Sequence, residues 1–143
     1  MVLVAKDIVE KDFLSLNRDL TVLEAAKLMK SSRHGFAVIL DEKGNPEGIV
    51  TEWDYLSKVI GEGKDAMQLK LGEIMSTNLV TVKGGDGLDE VAQVMAERGI
   101  RRVLVTQGGK VIGVITARTM LTRMKEYVDR VSSQIARLQM PRL

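Results

Sequence analysis

The chain has 143 residues, with 21 basic and 19 acidic side chains, and its formal net charge of +2 gives no electrostatic reason to expect nucleic acid as a partner. It contains no cysteine and one histidine, which excludes a disulfide framework, a thiol nucleophile, thiolate metal sites and a site built from several histidines. Hydrophobic residues make up 45% of the chain and aromatic residues 3%, a composition that predicts a globular protein with an aliphatic core. No apolar run approaches the roughly 20 residues needed to cross a bilayer, and the charged N-terminal sequence is unlike a signal peptide, so we expect a cytoplasmic protein without a membrane partner.

The sequence repeats internally, in units of about 55 residues. At an offset of 66, a first group recurs: Glu24, Ala26 and Met29 match Glu90, Ala92 and Met95. A second group recurs at an offset of 65, because one loop is a residue shorter in the second copy. In this group, Gly48, Thr51 and Leu56 match Gly113, Thr116 and Leu121. We therefore expect the first repeat at 7–60, a connector at 61–72, the second repeat at 73–125 and a helical extension at 126–143.

The first copy predicts the element order β-α-β-β-α. A short strand at 13–16 precedes a helix whose N-cap is either Asp19 or Thr21. Two strands at 36–40 and 48–51 flank a polar turn, and a second helix begins near Glu52.

The second copy predicts the same order. Its strands are expected at 79–82, 103–106 and 111–116. The intervening helix is expected to begin at an Asp86 cap and to end at Gly99, and the last helix begins near Ala117. Each small unit would leave one apolar sheet face uncovered, so we predict an α+β fold in which two small mixed sheets pack on each other.

Two motifs occur in both copies. The first helix carries Ala-x-x-Met, and the junction of the last strand with its helix carries Gly-hydrophobic-hydrophobic-Thr, which Asp54 completes as Gly-h-h-Thr-x-x-Asp in the first copy. This tandem arrangement, from about Ile8 to Met124, resembles the CBS domain pair, or Bateman module. The resemblance implies that an adenosine-containing ligand (AMP, ADP, ATP, S-adenosylmethionine or NAD) binds in the clefts between the copies. It also implies a regulatory role and a disc-like homodimer.

Thr51 and Asp54 are the first candidate site residues. A carboxylate in the first helical turn can accept both hydroxyls of a ribose, while the helix N-terminus attracts anions. Spacing alone favours the simpler interpretation that Thr51 is an N-cap and Asp54 its capping-box partner, whereas the resemblance favours the ribose role for Asp54. The second copy has Thr119 at this place, and a neutral hydroxyl binds more weakly than a carboxylate. We therefore expect two unequal clefts, with the Asp54 cleft binding better.

Basic residues before the middle strand are candidates for binding phosphate, or else form a solvated strand start. Arg33 and His34 stand there in the first copy, and Arg101 and Arg102 hold nearly the same place in the second. The planar guanidinium of arginine binds phosphate with two hydrogen bonds. Arg118 is a further candidate, for phosphate or for an acidic neighbour. The remaining candidates flank the strands, and the apolar ones could line a slot for the base: Gly35, Phe36, Thr116, Ile8, Val9, Leu16, Met75 and Val82.

The last helix carries an apolar seam beyond the repeat. Its members recur at alternating steps of three and four residues: Leu121, Met124, Val128, Val131, Ile135 and Leu138. The seam either covers the chain's own core or joins subunits, and we favour subunit contact.

No sequence pattern predicts an enzyme, a catalytic cofactor or a metal site. We expect a stand-alone energy sensor that binds an adenine nucleotide, with AMP as the first candidate, and that acts on a separate enzyme or transporter. The alternatives are a sensor of S-adenosylmethionine or NAD and a structural dimerisation scaffold with vestigial clefts. A DNA-binding role for the arginines of the tail is disfavoured because acidic residues interrupt them.

Overall fold

Six strands form two three-stranded sheets in the computed structural model, which describes residues 3–138. In each sheet the first strand runs parallel to the middle strand and the third runs antiparallel to it. The first sheet contains β1 (Ser15–Leu16), β2 (Phe36–Leu40) and β3 (Pro46–Thr51), and the second contains β4 (Thr81–Lys83), β5 (Arg102–Gln107) and β6 (Lys110–Thr116). The predicted pair of small mixed sheets is confirmed.

Six α-helices surround the sheets: α1 (Ala5–Ile8), α2 (Val22–Ser32), α3 (Glu52–Asp54), α4 (Leu71–Ile74), α5 (Leu88–Arg98) and α6 (Ala117–Leu138). Helix α3 continues as a π-helical segment, Tyr55–Ile60. The strands β3 and β6 run directly into α3 and α6, as the repeat predicts. Residues 139–143 of the predicted helical extension lie outside the described residues. None of the helices within residues 3–138 is both long and apolar enough to cross a membrane.

The structure shows which residues cap helices α2 and α5. Thr21 is the N-cap of α2: its hydroxyl accepts the N–H of Glu24 at 3.1 Å, and the Glu24 carboxylate accepts the N–H of Thr21 at 3.0 Å. The prediction that Asp86 caps α5 is wrong. Gly87 is the N-cap, and the Asp86 carboxylate instead accepts the backbone N–H of Lys83 at 2.8 Å, which closes the preceding turn.

The two sheets pack on each other through an apolar interface. Buried side chains from β2, β5 and β6 meet there: Phe36, Val38, Leu104 and Val114. This contact buries the sheet face that a single repeat would leave uncovered, so the two copies share one interior.

The segment that precedes each repeat packs on the other repeat. Ala5 and Ile8 of α1 lie in the core built by the second sheet and its helices. Leu71 and Ile74 of α4 lie in the core built by the first sheet. We call residues 4–10 and 70–76 the crossing arms, because each one leaves its own sequence repeat to complete the opposite core.

Candidate functional site

Each crossing arm is hydrogen-bonded to the last strand of a sheet. Glu10 exchanges two backbone hydrogen bonds with Val114 of β6, at 2.9 and 3.0 Å. Ser76 exchanges two with Ile49 of β3, at 2.9 and 3.0 Å. The two contacts are equivalent in the repeat, and the Glu10 contact places an arm side chain beside the junction of β6 with α6.

The glycine of the repeated Gly-h-h-Thr motif has a steric role. A Cβ atom at Gly48 would lie 2.6 Å from the Sδ of Met75, and one at Gly113 would overlap the carbonyl oxygen of Glu10 and a methyl group of Val9. Gly113 therefore requires the absence of a side chain so that the arm backbone can cross the strand, whereas at Gly48 the flexible Met75 side chain would have to move.

Thr51 and Asp54 lie together, as their spacing predicts. Asp54 is only 4% exposed, and its Oδ2 accepts the backbone N–H of Thr51 at 2.8 Å and the Thr51 hydroxyl at 3.3 Å. Its Oδ1 lies 2.8 Å from the Nζ of Lys58, which also donates to the carbonyl oxygen of Ile74. A carboxylate has about four acceptor sites, so roughly one remains for a further donor.

The second junction has different chemistry. The Thr116 hydroxyl accepts the N–H of Thr119 at 3.1 Å, and the two hydroxyl oxygens are 3.0 Å apart. The Thr119 hydroxyl donates to a carboxylate oxygen of Glu10. A carboxylate is therefore present at both junctions, although it comes from the helix at one and from an arm at the other.

Two cavities lie beside the contacts between the crossing arms and the last strands. The first, which we call the β3 cleft, has a volume of about 300 Å³ and is lined by Ile49, Ser76, Asn78, Leu79, Val80, Ile100, Arg102, Val103 and Leu104. The second, which we call the α6 cleft, has a volume of about 380 Å³ and is lined by Asp7, Ile8, Val9, Glu10, Arg118, Thr119, Thr122 and Arg123. The β3 cleft draws its walls from both repeats, and the α6 cleft lies between an arm and α6.

Arg102 is the cation of the β3 cleft. Its guanidinium carbon lies 4.9 Å from the centroid of the Phe36 ring, so it reaches from the second repeat to the start of the first sheet's β2. Burial lowers the pKa of Arg102, the positive charge of Arg101 lowers it further, and Glu52 acts in the opposite direction. A half-buried guanidinium beside a like charge is stabilised by a bound anion.

The two basic pairs, which stand at nearly the same place in the two copies, are not equivalent residues of the repeat. Arg33 ends α2 with a left-handed φ of 58°, as Gly99 ends α5 with 62°, so these two residues correspond. Phe36 pairs with Thr51 as Arg102 pairs with Thr116, which makes Phe36 the counterpart of Arg102. The offset of 66 therefore continues through this region, and the two basic pairs are two residues out of step.

Arg33, His34 and Gly35 lie together in a third cavity, of about 340 Å³, whose lining residues all come from the first repeat: Ala26, Met29, Lys30, Arg33, His34, Gly35, Glu52 and Tyr55. The Nε2 of His34 lies 3.3 Å from the carbonyl oxygen of Asp12. These three residues are therefore grouped around α2 rather than with Arg102.

The apolar candidates divide between cores and clefts. Ile8 and Val9 line the α6 cleft while packing on the second core. Val82 is buried within that core, and Leu16 and Met75 pack on the first core. Sequence reasoning missed Glu10 and Ser76, although the offset of 66 that relates Ile8 to Ile74 relates these two residues as well.

Within the residues described, no group of three or more acidic or histidine side chains is placed to hold a metal ion. The groups that the two clefts offer are arginines, hydroxyls, carboxylates and aliphatic side chains, which suit an organic ligand with both polar and apolar parts.

A family model described as "CBS domain" matches the chain twice, at residues 5–61 and 71–126. An uncharacterized protein of Methanopyrus kandleri is 30% identical over 134 residues, which cover 93% of this chain and 68% of the relative. The CBS domain-containing protein YhcV of Bacillus subtilis is 30% identical over 110 residues, covering 77% of each chain. The chain spans only 21% of an L-aspartate semialdehyde sulfurtransferase of Methanocaldococcus jannaschii, to which it is also 30% identical.

Solved structures share the fold. An uncharacterized conserved protein from Pyrococcus horikoshii has a TM-score of 0.79 at 30% identity, covering 87% of this chain and 93% of the other. A CBS domain pair in complex with 5′-methylthioadenosine and S-adenosyl-L-methionine has a TM-score of 0.78 at 26% identity, covering 89% and 99%. A hexameric CBS-CP12 protein from bloom-forming cyanobacteria has a TM-score of 0.76 at 33% identity, covering 85% and 67%.

Proposed function

The chain belongs to the CBS domain family, and on that premise we propose that it is a regulatory module that binds an adenosine-containing ligand in the β3 and α6 clefts. The observation that carries the proposal is the composition of these clefts. Each combines an aliphatic wall, which suits a purine, with arginine, which suits an anionic group. The α6 cleft also lies beside the start of α6, which begins directly after β6.

Arginine in both clefts favours a ligand with a negative 5′ substituent. The similar CBS pair was solved with two ligands that share an adenosine group and carry no phosphate. AMP has the same adenosine group and adds a phosphate dianion, which a half-buried Arg102 or an exposed Arg118 can bind with charge-assisted hydrogen bonds. We therefore place AMP first among the candidates, with S-adenosylmethionine and NAD as the alternatives.

Regulation follows if the ligand binds two conformations with different affinity. A ligand in the β3 cleft contacts both repeats, so its binding free energy depends on how the repeats are oriented. A separate enzyme or transporter that contacts this chain can then respond to the orientation.

The exposed seam of α6 supports a homodimer. Leu121, Val128 and Leu138 are 70%, 58% and 72% exposed, so the seam does not cover the chain's own core. A continuous apolar stripe of this length is typical of a contact surface. A second copy of the same helix offers a matching seam, which would bury both.

One observation favours the second candidate function, a structural scaffold with vestigial clefts. Asp54 is nearly satisfied by Thr51 and Lys58, and it is absent from the lining of the β3 cleft. In a scaffold, this carboxylate would only stabilise the junction between β3 and α3.

Calorimetric titration with AMP, ADP, ATP, S-adenosylmethionine, 5′-methylthioadenosine and NAD distinguishes the two functions. We expect saturable binding of AMP, and Arg102→Met is expected to weaken it by about tenfold or more while leaving 5′-methylthioadenosine, which lacks the phosphate, nearly unchanged. Arg130→Gln, on the exposed part of α6, is the matched control. Binding of no ligand by the folded protein would contradict the sensor and leave the scaffold.

A further inference from the structure

The α6 cleft contains a carboxylate at the position where the sequence motif has lost one. Thr119 occupies the place of the motif's aspartate, yet its hydroxyl donates to the carboxylate of Glu10. Glu10 is fixed there by its two backbone hydrogen bonds to Val114, so the carboxylate is delivered by the crossing arm.

The two junctions take their carboxylate from different elements. At the first junction, the helix supplies the carboxylate of Asp54, and the arm residue that pairs with β3 is Ser76. At the second, the helix supplies the hydroxyl of Thr119 and the arm supplies the carboxylate of Glu10. Because the arms pair with their strands in the same register, Glu10 and Ser76 hold equivalent positions, and each junction has one carboxylate.

We propose that Glu10 is the ribose-binding carboxylate of the α6 cleft and replaces the aspartate that the second repeat lacks. This inference rests on the proposed function, since it assigns one residue of a nucleoside site. Carboxylates accept both hydroxyls of a vicinal diol, and Glu10 lines the cavity that also contains Arg118.

Glu10 is more accessible to a ligand than Asp54 is. Asp54 is 4% exposed and has three internal donors, whereas Glu10 is exposed and, within residues 3–138, receives a side-chain hydrogen bond from Thr119 alone. A ligand hydroxyl can therefore reach Glu10 without breaking a buried ion pair. The α6 cleft therefore has a more accessible carboxylate than the β3 cleft, although the second repeat lacks the motif's aspartate.

The other two charged groups of the α6 cleft, Asp7 and Arg123, already have partners on their own elements. The Asp7 carboxylate accepts the N–H of Val4 at 2.9 Å, within its own arm. The Nε of Arg123 lies 3.5 Å from the Oε2 of Glu126 on the same helix. Glu10 and Arg118 remain as the negative and positive groups that face a ligand, one for the ribose and one for an anionic substituent.

The test compares AMP with 2′,3′-dideoxy-AMP on the wild type and on Glu10→Gln. Glutamine keeps an acceptor for Thr119 and leaves the backbone pairing intact, so the variant is expected to fold, which thermal melting verifies. We expect two AMP sites per chain in the wild type, and Glu10→Gln weakens one of them by about ten- to a hundredfold. The dideoxy compound, which has no diol, should bind that site equally in both proteins. Glu97→Gln, on the exposed face of α5, is the matched control and should change nothing.

A second variant transplants the arrangement of the first junction. Glu10→Ser combined with Thr119→Asp returns the carboxylate to the helix, where the arrangement seen at Asp54 would hold it in internal contacts, so we expect it not to recover the AMP binding that Glu10→Ser alone loses. Two AMP sites with unchanged affinity in Glu10→Gln would overturn the role of Glu10 and leave the proposed function standing. A single site that only Asp54→Asn weakens would do the same. A wild type that binds none of the adenosine compounds would overturn both.

Discussion

Asp54→Ala tests whether the strand-to-helix junction of the first repeat depends on its buried carboxylate. The substitution leaves the partly buried N–H of Thr51 without the acceptor that lies at 2.8 Å, and an unsatisfied group of this kind costs about 1–3 kcal/mol. The loss of the Lys58 contact adds little, because the Lys58 side chain is 41% exposed and regains water. We therefore expect the free energy of unfolding to fall by about 1–3 kcal/mol.

Urea unfolding followed by circular dichroism measures this change, with Asp54→Asn as the matched variant. Asparagine keeps an oxygen acceptor for Thr51 and removes only the charge, so its cost should stay below about 1 kcal/mol. If Asp54→Ala changes the unfolding free energy by less than about 0.5 kcal/mol, the internal role of the carboxylate is refuted. The same data separate a direct loss of ligand contact from a loss of folding in any binding measurement on this position.

Two other features give predictions of the same kind. Gly113→Ala places a methyl group against Glu10 and Val9, so it should destabilise the protein by about 1–3 kcal/mol in the same urea assay. The control is Gly85→Ala, whose added methyl group meets no atom within 4 Å and should leave the stability unchanged. Equal unfolding midpoints for the two variants would show that the arm does not need the glycine. Val128→Glu puts a charge into the exposed seam of α6, so light scattering should report a smaller mass than for the wild type. An unchanged dimer mass would show that this seam does not join the subunits.

The elements of each repeat could be predicted because local pattern specifies them. Alternating and helical periodicity located the six strands and the long helices, and duplication supported each assignment. The short helices α1 and α4 were not predicted, because four residues are too few to show a period. Their crossing to the opposite core is a long-range contact that no local pattern encodes.

The candidate site was predicted less completely for a specific reason. Arg33 stands in a left-handed conformation where the second copy has Gly99, and an arginine there gives no sequence signal of a helix end, so the basic pairs were aligned two residues out of step. Thr51 and Asp54 lie together because a three-residue spacing at a helix start requires it. Glu10 was missed because its partner Thr119 is 109 residues away, although the repeat already related it to Ser76.

Backbone amide NMR of the labelled protein during titration with AMP tests the central claim most directly, because it reports both binding and its location. We expect saturable shifts at the two junctions and their arms: Thr51–Asp54, Ser76, Thr116–Thr119 and Glu10. Absence of shifts at saturating AMP would contradict the assignment of a nucleoside-binding regulatory module. Shifts confined to residues outside both clefts and outside the crossing arms would contradict it as well.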